Sequence, residues 1–195
     1  VPHRIYLFDD QALENFPEHR LFWFPNLFRV DERKRALLEK VVFRNGHVAV
    51  WGPATGISDG RQTSAEASRA VTGFEMDLLN VNLPRRVLIS NFAHPVPRNL
   101  PAGMGYGGAL AYGPVLVPLD GVRLGEAWLP RGLVRTGLAV KTFGQGAGKG
   151  KGAGDWASVF TVLLGLPASL WRELARWAGA HVWCESDDVI IASRS

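Results

Sequence analysis

Gly52-Pro-Ala-Thr-Gly56 is the segment of this sequence that comes nearest to a catalytic layout. It follows His47-Val-Ala-Val-Trp51, an apolar run that reads as a strand. A strand running into a Gly-x-[Ser/Cys]-x-Gly turn is the form of a nucleophile elbow, which lifts its central side chain for attack. The central residue here is Ala54, whose methyl group cannot attack, and Thr55 is one place off with no base nearby in sequence. The expectation is an elbow without a nucleophile and no catalytic residue, which speaks against a hydrolase or amidotransferase of this type. Ligand binding is the other chemistry to weigh. Asp10, Asn26 and Thr55 stand just beyond predicted strand ends, where open α/β sheets take ligands. Each is also an ordinary turn residue.

The remaining reactive side chains form weaker patterns. His181 and Cys184 are three apart, so on a strand they point to opposite faces, and Cys184 is expected to be a buried inert thiol. The five histidines are scattered without H-x-H or H-x-x-x-H spacing, and a single cysteine excludes a disulfide framework or a multi-cysteine cluster, so no metal is expected. Glu185, Asp187 and Asp188 gather in one turn, where carboxylates are solvated turn formers more often than a glycosidase pair. Gly144 to Gly154 alternates glycine with Lys149 and Lys151 but misses the phosphate-loop spacing, because each lysine is followed by glycine; it reads as a solvated surface loop. Of the seven tryptophans, most fall in predicted strands or on a helix stripe, leaving Trp128 and Trp156 as candidates for an interface or a sugar platform.

The elements that must position these groups follow from periodicity and punctuation. Predicted strands are Arg4–Phe8, Arg20–Phe24, His47–Trp51, Arg86–Ser90, Val115–Leu119, Gly137–Phe143, Ser158–Leu163, His181–Cys184 and Val189–Ala192. Asp31 and Ser64 are N-cap residues for two helices, the first stopped by Asn45-Gly46 and the second by Gly73. Pro167 opens a third, with Leu170, Trp171, Leu174, Trp177 and Ala178 on one stripe and Gly179 after it. The segment from Asn91 to Pro118 carries several prolines and glycines and little periodicity. Strands too apolar to have a wet face argue for an α/β domain spanning 1–195, with a mostly parallel sheet between helices.

Composition sets the outer bounds. The chain has 195 residues, 47% apolar and 21% charged, which is a globular composition. No run of 18 uninterrupted apolar residues occurs, so no membrane span is expected. Twenty-two basic against 18 acidic residues give a net +4, dispersed rather than gathered with stacking aromatics, so no nucleic-acid partner is expected. The first residue is Val1 and no signal-like segment follows it, so the sequence reads as an excised part of something longer, with a cytoplasmic location favoured.

The order of motifs resembles the flavodoxin-like domain of family-42-type β-galactosidases and their glycoside-hydrolase relatives. The residues that carry it are Tyr6-Leu-Phe-Asp-Asp10, Arg20-Leu-Phe-Trp-Phe-Pro-Asn-Leu-Phe28, Asp31-Glu-Arg-Lys-Arg35 and Arg44-Asn-Gly-His-Val-Ala-Val-Trp51. Later matches are Thr72-Gly73, Asp155-Trp156 with Ser158, Ala175 through Trp183, and Asp187-Asp-Val-Ile190. The resemblance implies a fold like that of class I glutamine amidotransferases without their catalytic cysteine, in keeping with Ala54. It also implies a domain that follows a catalytic (β/α)8 barrel and mediates homo-oligomer formation, commonly a trimer, with no cofactor. The catalytic glutamates of that family lie in the barrel, so none is carried over. This sequence lacks the family's first strand and helix, and its glycine–lysine tract is a further departure.

Overall fold

The computed structural model describes residues 3–144 and 154–186. Its strands are β1 (Leu21–Phe24), β2 (His47–Trp51), β3 (Met76–Leu79), β4 (Leu83–Ile89), β5 (Gly105–Tyr112), β6 (Val115–Pro118), β7 (Val122–Leu129), β8 (Leu133–Phe143) and β9 (Trp156–Thr161). Its α-helices are α1 (Glu32–Val41), α2 (Ala65–Thr72) and α3 (Ala168–Trp177).

The capping residues set the first two helices as expected. The Asp31 carboxylate accepts the Lys34 N–H at 3.0 Å and the Ser64 hydroxyl accepts the Ala67 N–H at 3.1 Å. Gly73, at φ 76°, takes the left-handed position that ends α2. β1 and β2 pair in parallel, and β2 pairs in parallel with β9. All residues of β2 and β9 are buried, because helices cover both of their faces. Phe24 stacks on Trp51 and Phe43 meets it edge-on on the side of α1 and α2, while Trp23, pointing the other way, meets Trp171 of α3 at 5.2 Å.

Beyond β9 the sheet changes character. The seven-stranded order is β1-β2-β9-β8-β7-β4-β5, and every pairing from β9 onward is antiparallel; β3 and β6 form a separate antiparallel pair. The expected mostly parallel sheet is thus corrected to a mixed one. After α2 the chain does not return by a crossover but meanders through β3 to β8, and β8 lies antiparallel along β9 from Phe143–Trp156 to Leu138–Thr161.

Other expectations change for identifiable reasons. Arg4–Phe8 is not a strand. Tyr6 and Phe8 turn inward onto Phe16, His19 and Phe24, but Ile5 and Leu7 are 89% and 77% exposed, and a 3-10 turn follows at Phe8–Ala12. His181–Cys184 is not a strand either: Trp183 is 70% exposed, and Cys184 is half-buried rather than buried, its Sγ 3.1 Å from Ser186 Oγ. Trp156 is no platform, since it lies in β9 stacked between Phe43 and Phe143 at 4.1 and 4.5 Å. Trp128, in β7, is half-exposed. The expected strand Val189–Ala192, Asp187, Asp188 and positions 145–153 of the glycine–lysine tract lie outside the described residues.

A line of buried polar side chains crosses the core. Trp51 Nε1 donates to Ser158 Oγ at 2.8 Å, and that hydroxyl donates to the Thr72 carbonyl at 2.6 Å. Thr72 Oγ1 donates to the Ser68 carbonyl, Ser68 Oγ to the Thr55 carbonyl, and Thr55 Oγ1 to the Gly52 carbonyl. Trp51, Thr55, Ser68, Thr72 and Ser158 have no exposed surface, so no water can replace a lost partner from outside. Ser158→Ala leaves the Trp51 N–H without its hydroxyl acceptor and is expected to destabilise the fold by about 2 kcal/mol in urea unfolding. A change under about 0.5 kcal/mol would show that the line carries little.

Candidate functional site

The Gly52–Gly56 segment is a tight turn bonded at both ends. α2 does not follow it directly but begins at Ala65, so the immediate strand-to-helix passage of a nucleophile elbow is not formed. β2 ends at Trp51, and the Gly52 N–H donates to the Phe24 carbonyl at 2.9 Å. A Cβ on Gly52 would stand 2.3 Å from the Pro25 carbonyl oxygen, so only glycine passes there. The Gly56 N–H donates to the Leu27 carbonyl at 2.8 Å, and a Cβ at this position would stand 2.8 Å from a methyl of Val71. The turn is therefore clamped between the exit of β1 and the inner side of α2. Ala54 sits at its apex with φ 59°, a region that non-glycine residues enter rarely and that recurs at active sites. Within residues 51–57 it is the one residue that is not buried.

Among the described residues, the histidines with ring contacts are placed by partners other than Ala54. His47 begins the strand whose far end leads to the elbow, and His19 packs against Phe22 and neighbours His47. His94 lies against Trp177 of α3, and His181 against Trp183. β2 and β9 are neighbours whose following helices, α2 and α3, cover opposite faces, which is the switch-point arrangement that opens a ligand crevice in α/β sheets. Here that space is filled. Val162 and Leu163 are buried, the Val162 N–H donates to the Gly137 carbonyl at 3.0 Å, and its carbonyl accepts from Arg85 Nε at 3.2 Å. Leu163 also presses on Gly107, where a Cβ would come within 2.5 Å of its Cδ1.

The three sequence candidates do not form one site. Asp10 is half-buried in the 3-10 turn beside the first turn of α1, where its carboxylate accepts the Leu7 N–H at 2.8 Å. Asn26 is exposed after β1, its carbonyl accepting the Phe28 N–H at 2.9 Å. Thr55 is sealed in the core, with its hydroxyl committed to Gly52.

Two clefts that the sequence did not single out are present. One, of about 610 Å3, runs between the first turns of α1 and α2 and is edged by Arg29, Glu32, Asp59, Arg61 and Glu66. The other, of about 330 Å3, lies beside α3, where Arg176 bridges Glu173 and Glu185, and Glu173 also accepts from Asn99. Their sequence signal was slight, since Arg29 and Arg61 are isolated charges and Glu173 sits on an amphipathic helix. Neither cleft is lined by histidine or cysteine. The carboxylates whose pKa moves all move down: Asp31 because it accepts the Lys34 N–H, Asp59 because it accepts the N–H groups of Gln62 and Arg61, and Glu185 because of its bond to Arg176. A general acid needs the opposite shift. Among the described residues no group of three or more His, Cys, Asp or Glu is placed to hold a metal, and no helix is long and apolar enough to cross a membrane.

No family model matches the chain, and no curated protein does. Among solved structures it is similar to a catalytic mutant of a GH42 β-galactosidase from G. stearothermophilus, with 16% identity and a TM-score of 0.52. The match takes in 83% of this chain and 22% of the galactosidase chain. The likeness is one of fold, to a part of that enzyme.

Restoring a nucleophile tests whether the turn is latent or empty. Ala54→Cys is expected to give a folded protein that releases neither ammonia from glutamine nor nitrophenol from an activated ester above the rate of free thiol. Burst release of product would mean that a base and an oxyanion site persist.

Proposed function

We propose that this chain is a flavodoxin-like, non-catalytic accessory domain of a larger glycoside-hydrolase-like protein, and that it acts by association. The observation that carries this reading is Ala54: the turn has its backbone clamp and its unusual φ, yet presents a methyl group. The likeness to part of a GH42 β-galactosidase supports it from the side of fold. On this reading the partners are a catalytic barrel in the same protein and further copies of the chain, with no cofactor and no nucleic acid. Burial of apolar surface between subunits would supply the binding energy, and Ile5, Leu7, Leu13, Leu110, Leu119 and Trp183 are each more than 60% exposed. Specific association needs on the order of 1,000 Å2 of buried surface.

Light scattering of the chain over a wide concentration range tests the proposal. The expected result is a mass that rises to a dimer or trimer with concentration, with no hydrolysis of nitrophenyl galactosides. A strict monomer that binds a sugar saturably, with affinity lost on Asp10→Ala, would replace the association reading by ligand binding at the strand ends.

A further inference from the structure

Six buried side-chain polar atoms lack a hydrogen-bond partner among the described residues, and four of them lie in residues 3–20 or at His47, the first residue of β2. They are Tyr6 Oη, Gln11 Oε1, His19 Nε2 and His47 Nε2. The first three belong to residues 3–20, a strap that lies over β1 on the side of α1 and joins the sheet at its end, where the Arg20 carbonyl accepts the Val48 N–H at 2.8 Å. His19 is boxed by Tyr6, Phe16 and Phe22 at ring distances of 5.4, 5.6 and 6.0 Å, and His47 packs on the same Phe22 at 5.5 Å. Leaving polar atoms unpaired in such a box is costly, and a protonated ring there costs more.

The charges around the two rings decide what a proton would do. His47 Nδ1 lies 3.0 Å from the Val41 carbonyl, so in the neutral ring it carries the hydrogen and Nε2 keeps a bare lone pair. That lone pair faces the Glu18 carboxylate of the strap at 3.7 Å, too far for a hydrogen bond. Arg44 from the turn after α1 and Arg4 from the strap add positive charge near His47 and His19 respectively, and His47 opposes protonation of His19. From the β9 side the neighbour is Asp155, whose carbonyl holds the Gly46 N–H, with Trp156 level with His47. Glu18 is the anion that faces His47; it favours the protonated ring, but its side chain is 75% exposed, and burial of the ring outweighs it.

We infer that residues 3–20 form an acid-released latch: protonation of His19 and His47 detaches this strap while the sheet beneath stays folded. Phe8 and Phe16 pack on the core from the strap, and Gln11 is buried. The strap's charged ties include an exposed Asp9–Arg33 pair at 3.2 Å, Lys34 over the Phe8 ring and Glu18 facing His47, and exposed pairs are worth little. The sign follows from the rings. Burial lowers the pKa of both histidines, so between the docked value and the exposed value of about 6.5 only the form with the strap released takes up protons on the two rings. Docking is therefore complete above about pH 6.5 and is lost as the pH falls. Release bares Phe22 and Phe24 and moves Ile5, Leu7 and Leu13, so it changes the apolar surface offered to a partner.

Hydrogen exchange read by mass spectrometry at about pH 7.5 and about pH 5.5, with times scaled for the intrinsic rate, tests the latch. Protection of residues 3–20 is expected to fall on the order of tenfold at the lower pH, while β2 and β9 keep theirs. His19→Phe, which suits the aromatic box, and His47→Gln should each reduce that response, with the protection of β2 and β9 reporting that each variant is folded. Equal strap protection at both pH values, an unchanged response in the double variant, or loss of β2 and β9 protection in step with the strap would each overturn the inference.

Discussion

Ser158 lies in the middle of the sheet, and its hydroxyl is bonded in two directions, to the Trp51 indole and to the last carbonyl of α2. From there the bonding continues through Thr72, Ser68 and Thr55 to the carbonyl of Gly52. A helix packed only by apolar contacts could slide by a fraction of a turn at small cost; one whose C-terminal carbonyl is held by a strand hydroxyl cannot. The line thus fixes α2 against β2 and β9, and α2 in turn closes one side of the elbow through Ser68 and Val71. Buried polar bonds of this kind specify one packing arrangement more than they add net stability.

On the reading proposed above, the turn at Gly52–Gly56 is kept for its shape. Its backbone departs from ordinary geometry at Ala54, and its neighbours leave no room for a side chain at Gly52. These constraints join β1, β2 and α2, so the turn has a structural reason to persist without a nucleophile. The electrostatics point the same way. Asp31 serves a helix cap, Asp59 a turn and Glu185 an arginine pair, and each of these bonds favours the ionised carboxylate.

The parallel half of the fold was legible in the sequence because its signals are local. Asp31, Ser64, Gly73 and Gly179 mark helix ends by their own chemistry, and β2 and β9 are too apolar to be half-exposed. The antiparallel half was not. β5, Gly-Tyr-Gly-Gly-Ala-Leu-Ala-Tyr, is poor in strand-forming residues and owes its form to pairing with β4. β7 has register shifts around Gly125 that break the alternation of inward and outward residues, and β3 is only four residues long. Arg4–Phe8 erred the other way: the alternation was present, but beside β1 the segment folds over the face of the sheet instead of extending it. At the candidate site, Ala54 was readable from spacing alone, whereas the fate of Thr55 depended on Ser68 and α2, far from it in pattern. Ser158 and Thr72 stood out as motif residues, but nothing in the spacing of these small hydroxyl residues tells which buried partners they bond.

The central claim is that this α/β fold associates and does not react. It is tested most directly in the longer glycoside-hydrolase-like protein proposed to contain it, by comparing the solution mass and galactosidase turnover of that protein with and without this domain. The expected result is an oligomer that falls to monomers on deletion, while the barrel retains turnover on small substrates. A protein that stays fully associated without the domain would contradict the claim.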